Sequence, residues 1–368
     1  MKRDFLHFIF LLFTAQFWAQ QPVTIQLTEK DGLPDIEFYN VLEDKRGFIW
    51  FAADKGLFRY DGKSYVNFSH PQKRGLSVFG LFEDTQGRVW CNTISGQFFY
   101  VKDSKMELFV DLKDDLKGQL PEFKVIDNQL IAFSEKGIFL IDVNTKKRKI
   151  IKDEDSKSPY YGYPFQYKNQ LYFTLDNQLK VLKKGEIINS FTFNNNKNLP
   201  ANNAFCDMNT GLLFASYYEN KQHLFIKLDS EAFFKSIAVP KELEDKIVVN
   251  IIQRDDLLWF CTNKGIVVCT SKNGKIEYKS SYLKSEFTTK IIKDRNNNYW
   301  ITTLRNGVYV MPNIYIQKND FNGSSNQVST LCAIDSHYLV YGTTDGKIGY
   351  LEKSKNTWEV FSLPSTAK

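Results

Sequence analysis

A chain of 368 residues is long enough to form a sizeable hydrophobic core. Its 43% hydrophobic and 24% charged residues are typical of a globular protein. Its formal net charge of +6 comes mostly from lysines scattered through turn-like segments, whereas a nucleic-acid binder usually concentrates basic residues on one element. We therefore expect no nucleic-acid partner, and the aromatic content of 15% favours β structure.

The amino terminus has the organisation of an export signal. A short positive start precedes an apolar run over residues 5–19, which is too short to span a bilayer comfortably as a helix. We predict a signal peptide over residues 1–20 with cleavage near Ala19 and Gln20, and hence a periplasmic or secreted chain. An uncleaved membrane-anchoring segment is the alternative. No later run of 18 apolar residues occurs, so no membrane span is expected in the mature chain.

The rest of the chain is an internal repeat of about 41 residues. The clearest unit covers residues 41–62, and its pattern returns 40 residues later and again around Trp259 and Trp300. Weaker copies carry another residue at the Trp position. The eight repeated positions are Trp50, Trp90, Ile131, Tyr172, Leu213, Trp259, Trp300 and Val340. Their near-constant spacing over the whole mature chain is specific for a repeat protein.

Each unit contains signals for four short strands separated by turns. Asp44 and Gly47 suit the first and last positions of a type I turn, and residues 54–56 form the next turn signal. Residues that tolerate a left-handed backbone stand three places before most repeated positions: Gly47, Gly87, Asn128, Asn169, Asp256 and Asn297. Only residues 114–120 and 242–247 predict short turns of helix. The sequence therefore predicts an all-β propeller of four-stranded blades.

A strand predicted ahead of the first repeat closes the ring. Residues 23–28 alternate apolar and polar side chains, yet this strand has no partner in its own unit. Propellers remove an open edge by joining their first and last blades, so we predict that residues 23–27 pair with a third strand at residues 308–311. This gives seven blades over residues 21–313, with residues 314–368 as the first blade of an incomplete second propeller. One eight-bladed ring is the alternative.

Several segments resemble the two-component regulator propeller repeat. They are residues 32–34 (Gly-Leu-Pro), residues 41–50 with their Asp-x-x-Gly turn and Trp, and residues 56–62 (Gly-Leu-Phe-Arg-Tyr-Asp-Gly). The resemblance covers nearly the whole mature chain, is strongest in the first two units and around Trp259 and Trp300, and is weak in the third to fifth units. Residues 306–313 look like the end of a first propeller in such proteins.

The resemblance implies a periplasmic sensor region of a membrane-bound histidine kinase of the kind common in Bacteroidetes. In that family two seven-bladed propellers usually precede an immunoglobulin-like domain, a transmembrane helix and a kinase, and the ligands are often glycans or other nutrients. This sequence carries no kinase segment, so the resemblance implies a truncated form. We expect a non-catalytic, extracytoplasmic ligand-sensing propeller that binds a glycan or another small extracellular ligand.

No catalytic, cofactor-binding or metal-ligating residue is predicted. His7, His70, His223 and His337 are widely separated and share no metal-ligand spacing, and no nucleophile elbow, Walker loop or dinucleotide-binding glycine pattern occurs. The repeated Trp residues are interpreted as core residues between blades. The sequence identifies no ligand-binding residue and no oligomeric state. A polysaccharide-active propeller enzyme and a protein-interaction scaffold are the alternative functions.

Five cysteines without a C-x-x-C spacing argue against both a disulfide framework and a zinc site. They are Cys91, Cys206, Cys261, Cys269 and Cys332. Cys261 and Cys269 could face each other across one hairpin, and an oxidising compartment would permit a bridge. The simpler interpretation is that such residues are small buried hydrophobic side chains.

Overall fold

The computed structural model describes residues 22–156, 161, 164–167, 170–176, 178–183, 185–192, 203–206, 212–217, 222–228, 234–237, 240–254, 256–272, 275–312, 328–335, 337–344, 346–352 and 357–362. The predicted export signal at residues 1–20 and Asn169 lie outside these residues. None of the described residues belongs to a helix that is long and apolar enough to cross a membrane.

The described residues are almost entirely β-strand. The strands are β1 (Ile25–Leu27), β2 (Phe38–Glu43), β3 (Ile49–Ala53), β4 (Gly56–Tyr60), β5 (Tyr65–Phe68), β6 (Leu81–Glu83), β7 (Val89–Asn92), β8 (Gln97–Lys102), β9 (Lys105–Asp111), β10 (Glu122–Ile126), β11 (Gln129–Ser134), β12 (Gly137–Asp142), β13 (Arg148–Ile151), β14 (Phe165–Tyr167), β15 (Gln170–Leu175), β16 (Gln178–Lys183), β17 (Glu186–Thr192), β18 (Asn203–Cys206), β19 (Leu212–Tyr217), β20 (Gln222–Leu228), β21 (Phe234–Ile237), β22 (Val248–Arg254), β23 (Leu257–Thr262), β24 (Gly265–Lys272), β25 (Lys275–Tyr282), β26 (Thr288–Lys293), β27 (Tyr299–Thr303), β28 (Val308–Met311), β29 (Val328–Ala333), β30 (Tyr338–Thr343), β31 (Lys347–Glu352) and β32 (Thr357–Ser362). One short helix, α1 (Lys113–Leu116), and 3-10 turns at Glu29–Asp31 and Lys241–Leu243 complete the described elements. Two of these three lie at the two short helical segments that the sequence predicts.

The strands pair as antiparallel sheets of four, which confirms the predicted all-β architecture. Within the described residues, seven sheets belong to one compact unit, Thr24–Asn313, and β29–β32 form a sheet in a second unit that includes Ile314–Lys368. Six of the seven sheets pair their strands in chain order. The remaining sheet has the order β1-β28-β27-β26, so it combines strands from both ends of the unit.

The pairing of β1 with β28 confirms the predicted closing strand. Ile25, Gln26 and Leu27 lie opposite Val310, Tyr309 and Val308 in antiparallel register. The amide of Gln26 also donates to the backbone oxygen of Asn306 at 3.1 Å. The strand that the sequence leaves without a partner in its own repeat therefore completes a sheet whose other strands lie about 280 residues later in the chain.

The repeated positions all fall in the second strand of their sheets, and the Trp residues are core residues as predicted. Trp50, Trp90, Trp259 and Trp300 are 0%, 0%, 1% and 8% exposed. Each core cluster that contains Trp50, Trp90 or Trp300 draws residues from two consecutive sheets. The Trp side chains thus hold neighbouring sheets face to face, which is the packing that a propeller requires.

The tight turn between the first and second strands also follows the prediction. Gly47, Gly87, Asn128 and Asn297 adopt φ values of 94°, 76°, 61° and 67°. In the first of these turns, Asp44 Oδ1 accepts hydrogen bonds from the backbone N–H groups of Arg46 (2.9 Å) and Phe48 (3.0 Å). The Asp side chain therefore satisfies turn donors that would otherwise be left without a partner.

Three of the five cysteines are small buried side chains, as the simpler interpretation predicts, whereas Cys332 is exposed and the side chain of Cys206 lies outside the described residues. Cys91, Cys261 and Cys269 are free and buried, and Cys332 is free and exposed. The register places Cys261 opposite Ile266 and Cys269 opposite Leu258, so the two side chains do not face each other across their hairpin.

The first strands of neighbouring sheets contact one another within the Thr24–Asn313 unit. Contacts join β10 to β6, β6 to β2, β2 to β26, β26 to β22, β22 to β18 and β18 to β14. Side chains near the start of these strands are therefore brought together from distant parts of the sequence.

Candidate functional site

Four of the first strands carry a polar residue at the same level. Each of these residues pairs with the residue two places after a repeated position: Asn40 with Ala52, Glu122 with Phe133, Asn250 with Cys261, and Lys290 with Thr302. Lys124 lies two residues beyond Glu122 on β10 and so projects from the same face of that strand. We call Glu122, Lys124, Asn250 and Lys290 the central polar cluster.

Bulges at the starts of three strands direct these side chains. The register shifts just before Asn40, Asn250 and Lys290, so one extra residue is inserted at the same place in β2, β22 and β26. A bulge bends its strand and changes the direction in which the next side chain points. The recurrence of this irregularity gives the first strands a common geometry at the level of the cluster.

Glu122 interacts electrostatically with two lysines. Its side chain is exposed, and yet desolvation raises the pKa of its carboxyl group, an effect that Lys124 and Lys290 oppose. The two lysines therefore favour the ionised form of this carboxyl group.

Both lysines are themselves partly buried. Desolvation lowers the pKa of Lys124, which Glu122 opposes, and the Lys124 ammonium lies 5.6 Å from the centre of the Phe82 ring. Desolvation also lowers the pKa of Lys290; Lys124 adds to the effect, whereas Glu122 and Cys261 oppose it. Within the described part of the chain, neither lysine nor Glu122 has a hydrogen bond or an ion pair from its charged group. Three charged groups thus influence one another without direct contact.

Asn250 adds an unused hydrogen-bond acceptor. The residue is 7% exposed, and its Oδ1 atom has no partner among the described residues. Burial raises the pKa of Cys261, the residue opposite Asn250, to about 12. The charge of Lys290 opposes this rise. Lys290 therefore lies beside the Asn250–Cys261 pair. A buried amide oxygen without a donor is costly, and such groups indicate a functional or water-binding position.

An aromatic pair stands at the same end of the first strands. The rings of Tyr39 and Phe79 stack with centroids 4.5 Å apart and an interplanar angle of 23°. The Tyr39 hydroxyl donates to Glu37 Oε1 at 2.8 Å and lies 3.3 Å from Asp54 Oδ1. Desolvation, together with Glu37, raises the pKa of Tyr39. The fixed, half-buried rings offer a flat surface at the start of β2.

A cavity of about 830 Å³ lies between the β10–β13 and β14–β17 sheets. Two of its charged lining residues are committed to local structure. Arg148 pairs with Asp115 at 2.8 Å, and Asp142 Oδ1 accepts hydrogen bonds from the turn residues Asn144 and Thr145. The cavity and the central polar cluster are both candidates for a ligand site.

The described residues contain no group of three or more His, Cys, Asp or Glu side chains that could hold a metal ion. His70 is half-buried, 5.7 Å from the Phe99 ring, and its Nδ1 accepts a hydrogen bond from the Gln72 backbone. His337 lies in the second unit, 3.9 Å from Asp335. His7 and the side chain of His223 lie outside the described residues.

Sequence reasoning missed the central polar cluster, although one signal was present. Lys124 occupies the strand position that Leu42, Phe82, Ile252 and Ile292 occupy in other repeats, since each of these pairs with a repeated position. A charge at an otherwise apolar repeat position is visible once the repeats are aligned by strand pairing. The electrostatic effect of Lys124 on Lys290 was not visible, because the two lysines belong to strands of different sheets, β10 and β26.

The comparisons with known structures identify the fold. No protein-family model matches the sequence, and no curated protein matches it. The extracellular domain of a putative hybrid two component system from B. thetaiotaomicron matches 94% of this chain with 50% of its own, at 17% identity and a TM-score of 0.65. Virginiamycin B lyase from Staphylococcus aureus, solved as a catalytically inactive histidine-to-alanine variant with quinupristin, matches 78% of this chain with 97% of its own, at 14% identity and a TM-score of 0.61.

The chain is a β-propeller. A further extracellular domain of a B. thetaiotaomicron hybrid system matches at 15% identity and a TM-score of 0.61, with coverage of 95% and 48%. The propeller chain thus spans about half the length of the sensor domains that it matches. These matches agree with the resemblance to the two-component regulator propeller repeat, and at such low identity the likeness shows the fold alone.

Proposed function

We propose that the propeller is the non-catalytic, ligand-binding part of an extracytoplasmic sensor and that its ligand occupies the central polar cluster. The observation that carries the proposal is that three charged side chains, Glu122, Lys124 and Lys290, influence one another electrostatically and yet have no hydrogen bond or ion pair from their charged groups among the described residues. Desolvated charges without partners cost folding free energy, so a site that keeps them is a candidate for ligand binding. The unpartnered Asn250 oxygen supports the same conclusion.

The structural neighbours support the sensing role. Two of them are extracellular domains of putative two-component hybrid systems, and the predicted export signal would deliver this chain to the same kind of compartment. Binding in the centre of a propeller would act on a partner or on downstream segments by changing how the blades pack. The lyase neighbours show that this fold also supports enzymes, so turnover must be measured alongside binding.

We also propose that the seven sheets of Thr24–Asn313 form one ring and that β29–β32 begin a second propeller. The series of first-strand contacts includes the step from β2 to β26, and β1 joins the sheet that contains β26. Both features favour seven blades over a single ring of eight, because the closing sheet is then complete without β29–β32.

The experiment uses the chain from residue 21 onward, screened against a panel of oligosaccharides by thermal shift, with product analysis of every hit. The comparison variant is the double substitution Lys124→Met and Lys290→Met, and the control is Lys105→Met at the exposed start of β9. We expect stabilisation without turnover that the double variant loses and the control keeps. Release of product would favour a polysaccharide-active enzyme. Stabilisation that the double variant retains would place the ligand elsewhere.

A further inference from the structure

The cavity between the β10–β13 and β14–β17 sheets lies where a Trp ring fills the gap between sheets elsewhere in the propeller. We propose that this cavity, of about 830 Å³, is a second ligand site that binds an aromatic carboxylate, with the ring against its apolar wall and the carboxylate at Lys149 and Lys183. The proposal is independent of the central polar cluster, since none of the cluster residues lines the cavity.

The β2–β5 and β6–β9 sheets show how the gap to the next sheet is filled. Trp50 shares a core cluster with Val89 of the following sheet, and Trp90 shares one with Phe123 of the sheet after that. Both Trp side chains are fully buried at these positions. A Trp at the repeated position therefore packs against the next sheet and excludes water from the gap between the two.

A long turn covers the Trp ring in these sheets. Glu43 pairs with Ile49, so residues 44–48 form the turn between β2 and β3. The backbone N–H of Lys45, within this turn, donates to Glu83 Oε2 of the next sheet at 3.0 Å. The turn thus reaches across the gap and closes it above the ring.

Both features are missing from the β10–β13 sheet. Its repeated position holds Ile131, which lines the cavity and shares a core cluster with Leu171 of the following sheet. Ile126 pairs with Gln129, so the turn consists only of residues 127–128. Within the described part of the chain, this turn makes no hydrogen bond to the β14–β17 sheet. The cavity therefore occupies the place that a Trp ring and a longer turn fill in other sheets.

The size of the cavity and its apolar wall favour an aromatic ligand. Small-molecule sites usually have volumes of about 300–1,000 Å³ and are lined largely by apolar side chains with a few polar groups. Four buried aliphatic side chains, two from each sheet, line this cavity: Ile131, Leu140, Leu171 and Leu182. An aromatic ring placed against them would bury apolar surface, as the Trp rings do between other sheets.

The charged residues that line the cavity favour an anion, because four are cationic and two are acidic: Lys147, Arg148, Lys149, Lys183, Asp127 and Asp142. Arg148 is paired with Asp115, and the Asp142 carboxylate accepts hydrogen bonds within its own turn. Lys149 and Lys183 come from different sheets, and their ammonium groups have no hydrogen bond or ion pair among the described residues. A ligand carboxylate would give these ammonium groups a charged partner.

Two probes that share a ring and differ in charge test the proposal. Binding of indole-3-acetate and of its neutral amide, indole-3-acetamide, to the chain from residue 21 onward is measured by isothermal titration calorimetry at low ionic strength. We expect indole-3-acetate to bind at least about threefold more tightly, because exposed ion pairs make a modest favourable contribution. Lys149→Met with Lys183→Met should remove this preference. The control, Lys102→Met with Lys105→Met, removes two exposed lysines from another sheet and should keep it.

The Ile131→Trp variant tests the location of the site, because it restores the residue that fills the gap in other sheets. The β22–β25 sheet shows that a Trp at this position is compatible with a short turn, since Trp259 is buried although Arg254 pairs with Leu257. Ile131→Trp should weaken the binding of both probes at least about tenfold. Ile131→Phe, a smaller change, should weaken it less and carries the test if the Trp variant does not fold.

Circular dichroism checks that each variant keeps the β structure of the wild type. The proposal would be overturned if neither probe bound, if the two bound with equal affinity, or if the preference survived in the Lys149→Met with Lys183→Met variant. Wild-type affinity in folded Ile131→Trp or Ile131→Phe would overturn it as well, because the probe would then lie outside the cavity.

Discussion

Asp44 Oδ2 accepts a hydrogen bond from the indole Nε1 of Trp50 at 2.8 Å, and this bond joins a surface turn to the core between two sheets. The same bond, also at 2.8 Å, recurs between Asp84 and Trp90 and between Asp294 and Trp300. Trp259 differs: its Nε1 is buried without a partner among the described residues. The reason is the length of its turn. Leu42 pairs with Trp50 eight positions later, whereas Ile252 pairs with Trp259 seven positions later.

This difference predicts unequal costs for the same substitution. Trp50→Phe should lower the free energy of unfolding by about 2 kcal/mol more than Trp259→Phe, because only the former leaves a buried carboxylate short of a donor. Both side chains are buried, so the cavity left by the smaller ring should cost a similar amount at the two sites. Urea denaturation of the two variants measures the difference. Equal costs would show that the Asp44–Trp50 bond contributes nothing beyond packing.

The acid stability of the protein should depend on Asp84. Burial alone would raise the pKa of this carboxyl group, but hydrogen bonds from Trp90 and Arg88 outweigh burial and hold the pKa below its ordinary value. The folded protein therefore keeps Asp84 ionised at a pH where the unfolded chain binds a proton. Its contribution to stability is complete above the unfolded pKa of about 4 and is lost as the pH falls through the folded value.

The comparison for this prediction is Asp84→Asn, which keeps the size of the side chain and cannot titrate. Between pH 6 and pH 3, the free energy of unfolding of the wild type should fall more steeply than that of the variant. The charged neighbours of Asp84 are Lys45, whose ammonium donates to the Asp84 backbone oxygen, and Arg88. Parallel acid profiles would contradict the assignment of this acid sensitivity to Asp84.

The closing strand makes Gly307 unusually intolerant of a side chain. A Cβ atom at Gly307, where φ is +73°, would lie 2.5 Å from the backbone oxygen of Leu27 in β1. Gly62 has a φ of +98° but nothing within 4 Å of such an atom. Both alanine variants carry the strain of a left-handed backbone, roughly 1 to 2 kcal/mol, but only Gly307→Ala displaces β1.

We therefore expect Gly307→Ala to cost at least about 2 kcal/mol more than Gly62→Ala in chemical denaturation. Gly307→Ala should also make the segment around Ile25 more sensitive to limited proteolysis, because that strand loses its partner. If the two variants were equally stable, the pairing of β1 with β28 would contribute little to the fold.

The fold could be predicted from the sequence because the signals for its strands and turns are local and repeated. A single alternating segment at residues 23–27 and the need to close an edge were enough to identify β28 as its partner. The turn before each second strand was equally predictable, since only Gly and Asn readily adopt the φ of Gly47 or Asn297. Each such signal depends on a few neighbouring residues, and repetition distinguishes it from chance.

The central polar cluster was not predictable in the same way. A lysine in a predicted strand is ordinarily interpreted as a surface residue. In addition, Glu122 and Lys124 lie in one of the weaker repeats. Their assignment to a cluster depends on their interaction with Lys290, which is distant in sequence and belongs to another sheet. The hairpin register of Cys261 and Cys269 was likewise left open, because a shift of one residue decides which side chains face each other.

Two lysines, Lys290 and Lys180, should respond in opposite ways to the same substitution. Lys290 is desolvated and has no ion-pair partner among the described residues, whereas Lys180 lies 2.7 Å from Asp153 with both side chains largely buried. Lys290→Met removes an uncompensated charge and should raise the free energy of unfolding by about 1 kcal/mol. Lys180→Met leaves Asp153 buried without its partner and should lower it by about 3 kcal/mol.

The increase in the free energy of unfolding of Lys290→Met should also depend on pH, because the pKa of Lys290 is lowered in the folded protein. The charged form of Lys290 destabilises the fold, so this cost is complete below the folded pKa and disappears as the pH rises from the folded towards the unfolded value. Lys124, Glu122 and Cys261 also act on the pKa of Lys290, so the variant and the wild type must be compared at each pH. Their difference in urea denaturation should shrink between pH 7 and pH 10. A loss of stability in Lys290→Met at neutral pH would mean that the lysine contributes to the fold, and the case for a ligand-binding cluster would lose its main support.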